Sequence, residues 1–351
     1  MPGKTLLLRA DAGSEMGIGH VMRCLALSDA WRDSGGNPVF ALAAGTCQLE
    51  SHVRAHGAEI ITVEAQPGSP EDASITLALG SRRQAAWLAL DGYHFSAGYI
   101  RTLRKATSKL LLIADDEEVP NCDCDIVVDP TPQTSEAVRS WSDKQATVLL
   151  GPSYALLRRE FRKYFDRYKS TADSASRILI SFGGGDSHNV TLQVMQALQD
   201  IGDRELDVTV VVGPSNLHGE SLQAAAEQSR HAVRLISDVS NMPEVMAQAD
   251  LAITAGGGTC YELAFMQVPM LLITIAKNQE RPITAYTAAK TAVAAGWFAS
   301  LESTRLTRLL LDLIDNRSLR RELSLNARKL VDGKGPQRIV EKMIEMTGVV
   351  E

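Results

Sequence analysis

The segment RADAGSEMGIGHVMRC carries the first residues that can do chemistry. Gly17 and Gly19 permit a tight turn that presents backbone N–H groups to an anion at a helix start. His20 then lies in the first helical turn, where the dipole disfavours an imidazolium and a neutral ring accepts a proton. Arg23 lies one turn further on the same face, and Asp11 opens the loop. We predict that this loop binds an anionic ligand beside a proton-accepting histidine.

A purely structural turn is the alternative, in which the two glycines only join strand to helix and His20 caps or packs. The glycine spacing alone does not separate these interpretations. It does argue against NAD, because no third glycine follows to complete the dinucleotide fingerprint.

The sequence DGYHF follows an apolar run and supplies a second candidate, Tyr93. A phenolic hydroxyl at the end of a strand can hydrogen-bond a substrate or align a catalytic group. In the structural alternative, Tyr93 covers the surface and Asp91 caps the next helix. Asp115 and Asp116 follow the next apolar run, and we expect them to cap a helix rather than bind a metal.

Two further glycine triplets follow predicted strands in the second half of the chain. In SFGGGDSHN, the glycines allow close approach of a ligand, and we predict that Gly184 and Asp186 contact substrate. A flexible turn is the alternative. The second triplet lies in TAGGGTCYE and has the residue types of a phosphate site, since successive N–H groups and a threonine hydroxyl can hold phosphate oxygens.

The predicted contacts of this second triplet are Gly256, Gly257 and Thr259, with Glu262 placed to accept the hydroxyls of a ribose. A first-turn acid that stabilises the helix dipole is the alternative for Glu262. Asn278 and Gln279, after the next strand, offer amide donors and acceptors. Loops of this kind in both halves favour a ligand with a diphosphate and two unlike ends, held in an interdomain cleft.

The elements that must position these loops are short apolar runs alternating with longer amphipathic segments, which is typical of βαβ units. In such sheets, ligands bind beyond the carboxyl ends of the strands. Predicted strands of the first half are 5–9, 39–42, 60–63, 87–90, 110–113, 126–128 and 148–150. Predicted strands of the second half are 177–181, 208–212, 233–236, 251–254 and 271–275.

Two domains are predicted, 1–169 and 170–351. An amphipathic helix over 156–168 precedes the boundary, and the second domain ends in a helix near 338–346 that follows an interruption at 333–336.

Composition limits the partners. With 351 residues, 45% of them hydrophobic, and a net charge of −6 without a basic run, the sequence predicts neither nucleic-acid nor membrane binding. The first apolar run is too short for a signal peptide, so we expect a cytoplasmic protein. Five scattered cysteines argue against a disulfide framework, and Cys122 with Cys124 lack further ligands for zinc. The oligomeric state stays open.

Taken in order, the segments quoted above, with LLIADD, LLGPSYALLRREF and AKNQ, resemble the UDP-sugar hydrolases of pseudaminic acid biosynthesis. Members cleave UDP-2,4-diacetamido-2,4,6-trideoxy-β-L-altropyranose. The resemblance spans about the first 280 residues of this chain. It implies a GT-B-like α/β fold, with two Rossmann-like domains whose parallel sheets face an interdomain cleft, and UDP held mainly by the C-terminal domain.

The resemblance also implies residue roles. His20 matches the family's proposed catalytic histidine and Tyr93 its active-site tyrosine. The matches to the UDP-binding and sugar-side segments are Gly256, Gly257, Thr259, Glu262, Asn278 and Gln279. The implied reaction is hydrolysis at the anomeric carbon with inversion, without a cofactor or a metal. A GT-B glycosyltransferase using a UDP-sugar donor and a non-catalytic nucleotide-sugar-binding protein remain the alternatives.

Overall fold

The computed structural model describes residues 3–13, 17–44, 47–105, 108–114, 123–132, 146–237, 239 and 241–348. The chain divides into two units, the first formed by Met1–Arg159 with Gly333–Glu351 and the second by Glu160–Asp332. Each unit is built around a parallel sheet, and each is described by itself below.

Among its described residues, the first unit contains seven strands. They are β1 (Thr5–Ala10), β2 (Asn37–Ala43), β3 (Glu59–Val63), β4 (Ala85–Asp91), β5 (Lys109–Ile113), β6 (Ile126–Asp129) and β7 (Thr147–Leu150). They form one parallel sheet in the order β3-β2-β1-β4-β5-β6-β7. Its connecting helices are α1 (Gly19–Asp33), α2 (Cys47–Ala55), α3 (Pro70–Arg82) and α4 (Ala97–Leu103).

The first sheet is buried on both faces. Leu6 and Leu8 belong to one hydrophobic cluster and Leu7 to another, although all three are fully buried. Successive side chains of a strand point to opposite faces, so the run of leucines supplies both clusters. This explains why a continuous apolar run, rather than an alternating one, marks each central strand.

The second unit contains six strands. They are β8 (Arg177–Ser181), β9 (Asp207–Val211), β10 (Ala232–Ile236), β11 (Leu251–Ala255), β12 (Met270–Thr274) and β13 (Ala292–Trp297). They pair in parallel in the order β10-β9-β8-β11-β12-β13. The helices are α5 (Val190–Gln199), α6 (Gly219–Glu227), α7 (Met242–Gln248), α8 (Thr259–Phe265), α9 (Glu280–Ala288), α10 (Ser303–Asp315) and α11 (Arg317–Leu330).

The last helix, α12 (Gly335–Met346), returns to the first unit and packs on α1. The predicted division at 169/170 placed this helix in the second domain, so the structure corrects both the boundary and the place of the tail. The physical reason is its apolar stripe, since Ile339, Val340 and Met343 are buried in the hydrophobic cluster that includes α1. The expected interruption at 333–336 is the helix start, because Pro336 occupies the first turn, where proline is favoured.

Two other elements differ from the sequence-based prediction. The helix predicted over 156–168 is absent, and this stretch contains a short 3₁₀ turn, Arg159–Tyr164. Residues 155–158 are all buried in succession, which no single helical face allows. Strand β13 was not predicted, because its sequence AVAAGW is rich in alanine and interrupted by Gly296. Among the described residues, no helix combines the length and hydropathy needed to cross a membrane.

Met343→Ala tests whether α12 belongs to the first core. Met343 is fully buried, so its truncation should lower the free energy of unfolding by about 2–5 kcal/mol. Glu341→Ala, at an exposed position of the same helix, should change it by less than about 0.5 kcal/mol. Urea denaturation followed by the fluorescence of Trp31 and Trp87, both fully buried in the first unit, measures the difference. Equal effects of the two variants would contradict this packing.

Candidate functional site

Apart from Asn278 and Gln279, which follow β12, the candidate residues of each unit follow the two strands between which the strand order reverses. In the first sheet these neighbours are β1 and β4, and in the second they are β8 and β11. Connections leave such neighbouring strands in opposite directions, which opens a crevice at their carboxyl ends. The loops after these four strands are the four that the sequence indicated.

His20 is hydrogen-bonded to the carboxylate of Asp91, the last residue of β4. Helix α1 begins at Gly19, so His20 lies in its first turn, with only 5% of its surface exposed. Its Nδ1 lies 2.7 Å from Oδ1 of Asp91, the last residue of β4, and Asp91 is fully buried. The register of the sheet creates the contact, because Ala10 of β1 pairs with Asp91 of β4.

Arg23 completes this group. Its Nε donates to Asp91 Oδ2 at 3.0 Å and its Nη2 to Asp91 Oδ1 at 2.7 Å. Burial raises the pKa of Asp91, but the charge of Arg23 and the hydrogen bonds from Arg23 and His20 outweigh burial and lower it below its usual value. Asp91 is therefore an ionised carboxylate, which can only accept hydrogen bonds.

The ionised Asp91 determines the tautomer of His20. Because the carboxylate can only accept, Nδ1 of His20 carries the proton and donates to Asp91. Nη2 of Arg23, 2.9 Å from the same Nδ1, then donates to Asp91 instead. The remaining nitrogen, Nε2, is the one left with a lone pair, so His20 has the tautomer of a general base.

Tyr93 lies beside His20. The two ring centroids are 4.8 Å apart with the rings nearly perpendicular at 85°. Tyr93 is 44% exposed, so part of its ring remains open to solvent while its other part contacts the histidine. The structure thus brings together both residues that the sequence assigned to catalysis.

Gly17 shapes the loop before His20. It has a positive φ of 73°, and its N–H donates to Gly13 O at 2.8 Å. The Gly17 amide therefore donates within the loop, whereas the prediction was that it donates to an anion. Gly19 starts α1.

Asp11 has a different environment from the one predicted. Its Oδ1 accepts from Nη1 of Arg9 at 2.5 Å and from the Ala43 amide at 2.8 Å, and its Oδ2 lies 3.0 Å from Nε2 of His94. The side chain is almost wholly buried. The hydrogen bonds of Oδ1 thus serve the fold of the first unit, and contact of Asp11 with substrate stays a prediction.

Asp186 likewise serves the fold of the second unit. Its two oxygens accept from the amides of Val190 and Thr191 at 2.8 and 2.9 Å, which caps the start of α5. Gly184 accepts at its carbonyl from the Ser215 amide at 2.9 Å. These contacts place both residues in the framework of the loop after β8, and their contact with substrate stays a prediction.

The loop after β11 has an open glycine segment at the start of α8. Gly257 is exposed, and a Cβ added there would meet no atom within 4 Å. Gly256 is required by packing, because a Cβ there would lie 2.5 Å from the Ile283 side chain. Thr259 begins α8 and Glu262 lies in its first turn, both half-buried. Phosphate binding by Gly256, Gly257 and Thr259 at this helix start stays a prediction.

Asn278 and Gln279 form a short 3₁₀ turn after β12. Asn278 is exposed, whereas the Oε1 of Gln279 accepts from the Ile275 amide at 3.1 Å. The side-chain oxygen of Gln279 therefore fixes the turn.

Asp91 is the candidate site residue that sequence reasoning missed. In the structural alternative it capped the next helix, but Ser96 caps α4 by accepting from the Tyr99 amide at 3.3 Å. Its position at the end of an apolar strand beside the strand that leads to His20 was the available signal. Asp115, Asp116 and Cys122 lie outside the described residues.

Comparison with known proteins adds sequence relationships. Residues 177–334 match the glycosyltransferase family 28 C-terminal domain. An uncharacterised protein of Methanocaldococcus jannaschii is 25% identical over 269 residues, which are 75% of this chain and 54% of that protein. The UDP-2,4-diacetamido-2,4,6-trideoxy-β-L-altropyranose hydrolase of Campylobacter jejuni is 24% identical over 280 residues, 80% of this chain and 94% of that protein. The chain thus spans about half the length of the first relative and most of the second.

Solved structures establish the fold. MurG of Acinetobacter baumannii superposes with a TM-score of 0.70 at 16% identity, covering 98% of this chain and 100% of that one. MnaA of S. aureus, solved with UDP, gives a TM-score of 0.70 at 14% identity, with 99% and 98% covered. The chain has a GT-B-like fold. This confirms the predicted fold class of two parallel-sheet α/β domains.

Asp11→Asn tests the electrostatics of this site through acid stability. Burial opposes ionisation of Asp11, but the contacts with His94 and Arg9 and the Ala43 amide lower its pKa to about 2. In the unfolded chain the pKa of an aspartate is about 3.9. Ionised Asp11 therefore adds about 2–3 kcal/mol to the free energy of unfolding above pH ~4, and this stabilisation is lost as the pH falls towards 2. Unfolding free energies of the variant should therefore decline less than those of the wild type between pH 6 and pH 2.5.

Asp315→Asn is the matched control, because Asp315 forms an exposed ion pair with Arg204. The free energy of unfolding of Asp315→Asn should change with pH as that of the wild type does. Parallel curves for the wild type and Asp11→Asn would show that Asp11 titrates normally in the folded protein.

Proposed function

We propose that the chain hydrolyses a UDP-linked diacetamido-trideoxy sugar at its anomeric carbon, releasing the free sugar and UDP in a pseudaminic acid-type pathway. The observation that carries this proposal is the buried Asp91 bound to Nδ1 of His20, which leaves Nε2 as a base. Support for the substrate class comes from the C. jejuni hydrolase, which aligns with 80% of this chain.

In the proposed reaction, Nε2 of His20 takes a proton from water as the water oxygen attacks the anomeric carbon. The bond from that carbon to the β-phosphate oxygen breaks, and UDP leaves with the electron pair. Asp91 stabilises the imidazolium that forms, as a buried carboxylate does behind a general base. Tyr93, in contact with the His20 ring, orients the water or the sugar. A single displacement inverts the anomeric configuration.

The second unit carries the proposed UDP site. Gly256, Gly257 and Thr259 lie at the start of α8, where amide donors and the helix dipole stabilise charge growing on the β-phosphate. Glu262 accepts the hydroxyls of the ribose, and Asn278 contacts the sugar. The reaction as proposed uses no metal ion or cofactor.

Variants of His20 and Asp91 test the mechanism. His20→Gln should lower kcat by about 10²–10⁴-fold because the base is lost. Asp91→Asn should cost a similar factor, because an amide can donate to Nδ1 and favour the wrong tautomer. UDP release from a panel of UDP-diacetamido sugars, followed by NMR, measures the rates and shows which anomer forms first.

His231→Gln is the control, since His231 is a buried histidine of the second unit bonded to Leu198 O. Its kcat should equal that of the wild type. Full activity of His20→Gln would remove the assigned base, and retention of configuration would exclude a single displacement. A strict Mg²⁺ requirement that survives EDTA controls would contradict the metal-free mechanism.

Glycosyl transfer from a UDP-sugar is the second candidate, favoured by the match of residues 177–334 to a glycosyltransferase domain. In this reaction an acceptor hydroxyl replaces water, and the same His20 removes its proton. We expect UDP release from the diacetamido sugars at the same rate with and without added sugar or lipid-linked acceptors. Turnover that begins only when an acceptor is supplied would favour the transferase, and binding without turnover in either assay would favour a non-catalytic protein.

A further inference from the structure

A closed circuit of contacts surrounds Arg9, beside the His20 group but separate from it. Arg9 ends in a wholly buried guanidinium near the carboxyl end of β1. Its Nε and Nη2 donate to the two oxygens of Asp72, at 3.0 and 2.9 Å, and its Nη1 donates to Asp11. One arginine therefore joins β1 and α3 to the loop that leads to His20.

Asp11 extends this circuit to His94. Its Oδ2 lies 3.0 Å from Nε2 of His94, the residue that follows Tyr93. The His94 ring also lies 4.1 Å from the ring of Phe95, over which Arg9 is placed at 5.6 Å. The side chain after Tyr93 is thus fixed from two directions.

Two glycines complete the circuit because they let His94 approach the backbone. A Cβ on Gly92 would lie 2.7 Å from Cε1 of His94, and a Cβ on Gly68 would lie 2.4 Å from its carbonyl oxygen. The Gly68 amide in turn donates to Oδ2 of Asp72 at 2.8 Å, which leads back to Arg9. The hydrogen bonds and ion pairs of this circuit join buried or half-buried groups.

Arg9 stays protonated, and therefore charged, over a wide pH range. Burial opposes ionisation of Arg9, but hydrogen bonds and the charges of Asp72 and Asp11 raise its pKa above the usual value. The phenol of Tyr99 donates to Asp72 Oδ1 at 3.0 Å, and burial raises the pKa of Tyr99 above its usual value.

We propose that Asp11 and His94 form a positioning pair that holds the turn 91–94, and with it Tyr93, against His20. Asp11 then acts through His94 and Tyr93 rather than on the substrate, which explains its buried oxygens. The expected effect on kcat rests on the proposed hydrolase function. The expected effect on the contact between His20 and Tyr93 is independent of that function.

His94→Ala and His94→Gln test this pair kinetically. Loss of the imidazole should lower kcat by about 10- to 100-fold with KM unchanged, because a displaced Tyr93 misaligns the reacting groups without weakening UDP binding. The amide nitrogen of glutamine can stand near the position of Nε2 and should restore most of kcat. His231→Ala, which truncates another buried histidine, should lower stability without lowering kcat.

Gly92→Ala is a second variant that removes no charge. The added Cβ should push the His94 ring from its place and lower kcat in the same direction as His94→Ala. This variant tests the idea even when His94→Ala fails to fold. Wild-type kcat in a folded Gly92→Ala protein would overturn the proposal.

Histidine NMR provides a readout that does not depend on turnover. The Cε1–H signal of His20, assigned by its loss in His20→Gln, should shift in His94→Ala because the Tyr93 ring lies 4.8 Å away. It should not shift in His231→Ala. A shifted signal in a protein that hydrolyses no UDP-sugar would support the positioning pair and refute the hydrolase function. An unshifted signal in folded His94→Ala would refute the pair itself.

Discussion

The burial of Asp91 beneath His20 and Arg23 is the constraint on which the first unit's site depends. A lone carboxylate in this position would be neutralised, because removing its charge from water is costly. Two cationic or donating side chains from one turn of α1 keep it ionised instead. Since Asp91 ends a central strand and His20 lies in the first turn of α1, the position of the His20 ring is set by the sheet rather than by a loop.

The arrangement separates positions that must be rigid from positions that must remain open. His20 and Asp91 are nearly or fully buried, whereas Tyr93 is 44% exposed beside them. In the second unit the same contrast recurs, because Gly256 is packed tightly against Ile283 while the neighbouring Gly257 is exposed. Each loop therefore combines a residue that fixes the backbone with a residue that is accessible to a ligand. This is how a parallel sheet can hold polar groups accurately at its carboxyl edge.

Sequence patterns predicted the parts of the fold that depend on local chemistry. The central part of β8, residues 178–180, is a continuous buried apolar run, and strand-glycine-helix sequences marked the loops at the sheet edge. The alanine-rich β13 and the turn at Arg159–Tyr164 were missed because tertiary packing overrides local preference there. The return of α12 to the first unit was also missed, because an apolar helix face does not indicate which hydrophobic core it packs against.

The same limit explains which site residues the sequence identified. His20 and Tyr93 were found because each lies in a distinctive local motif. The position of Asp91 became clear only from the parallel pairing of β1 with β4. This pairing brings Asp91 to His20, although the two residues are 71 positions apart in the sequence. Asp11 and Asp186 show the converse: a carboxylate in a glycine-rich loop predicts ligand binding, although the structure engages both with the protein's own donors. A polar residue in such a loop can therefore be assigned to ligand or framework only once its buried hydrogen-bond partners are known.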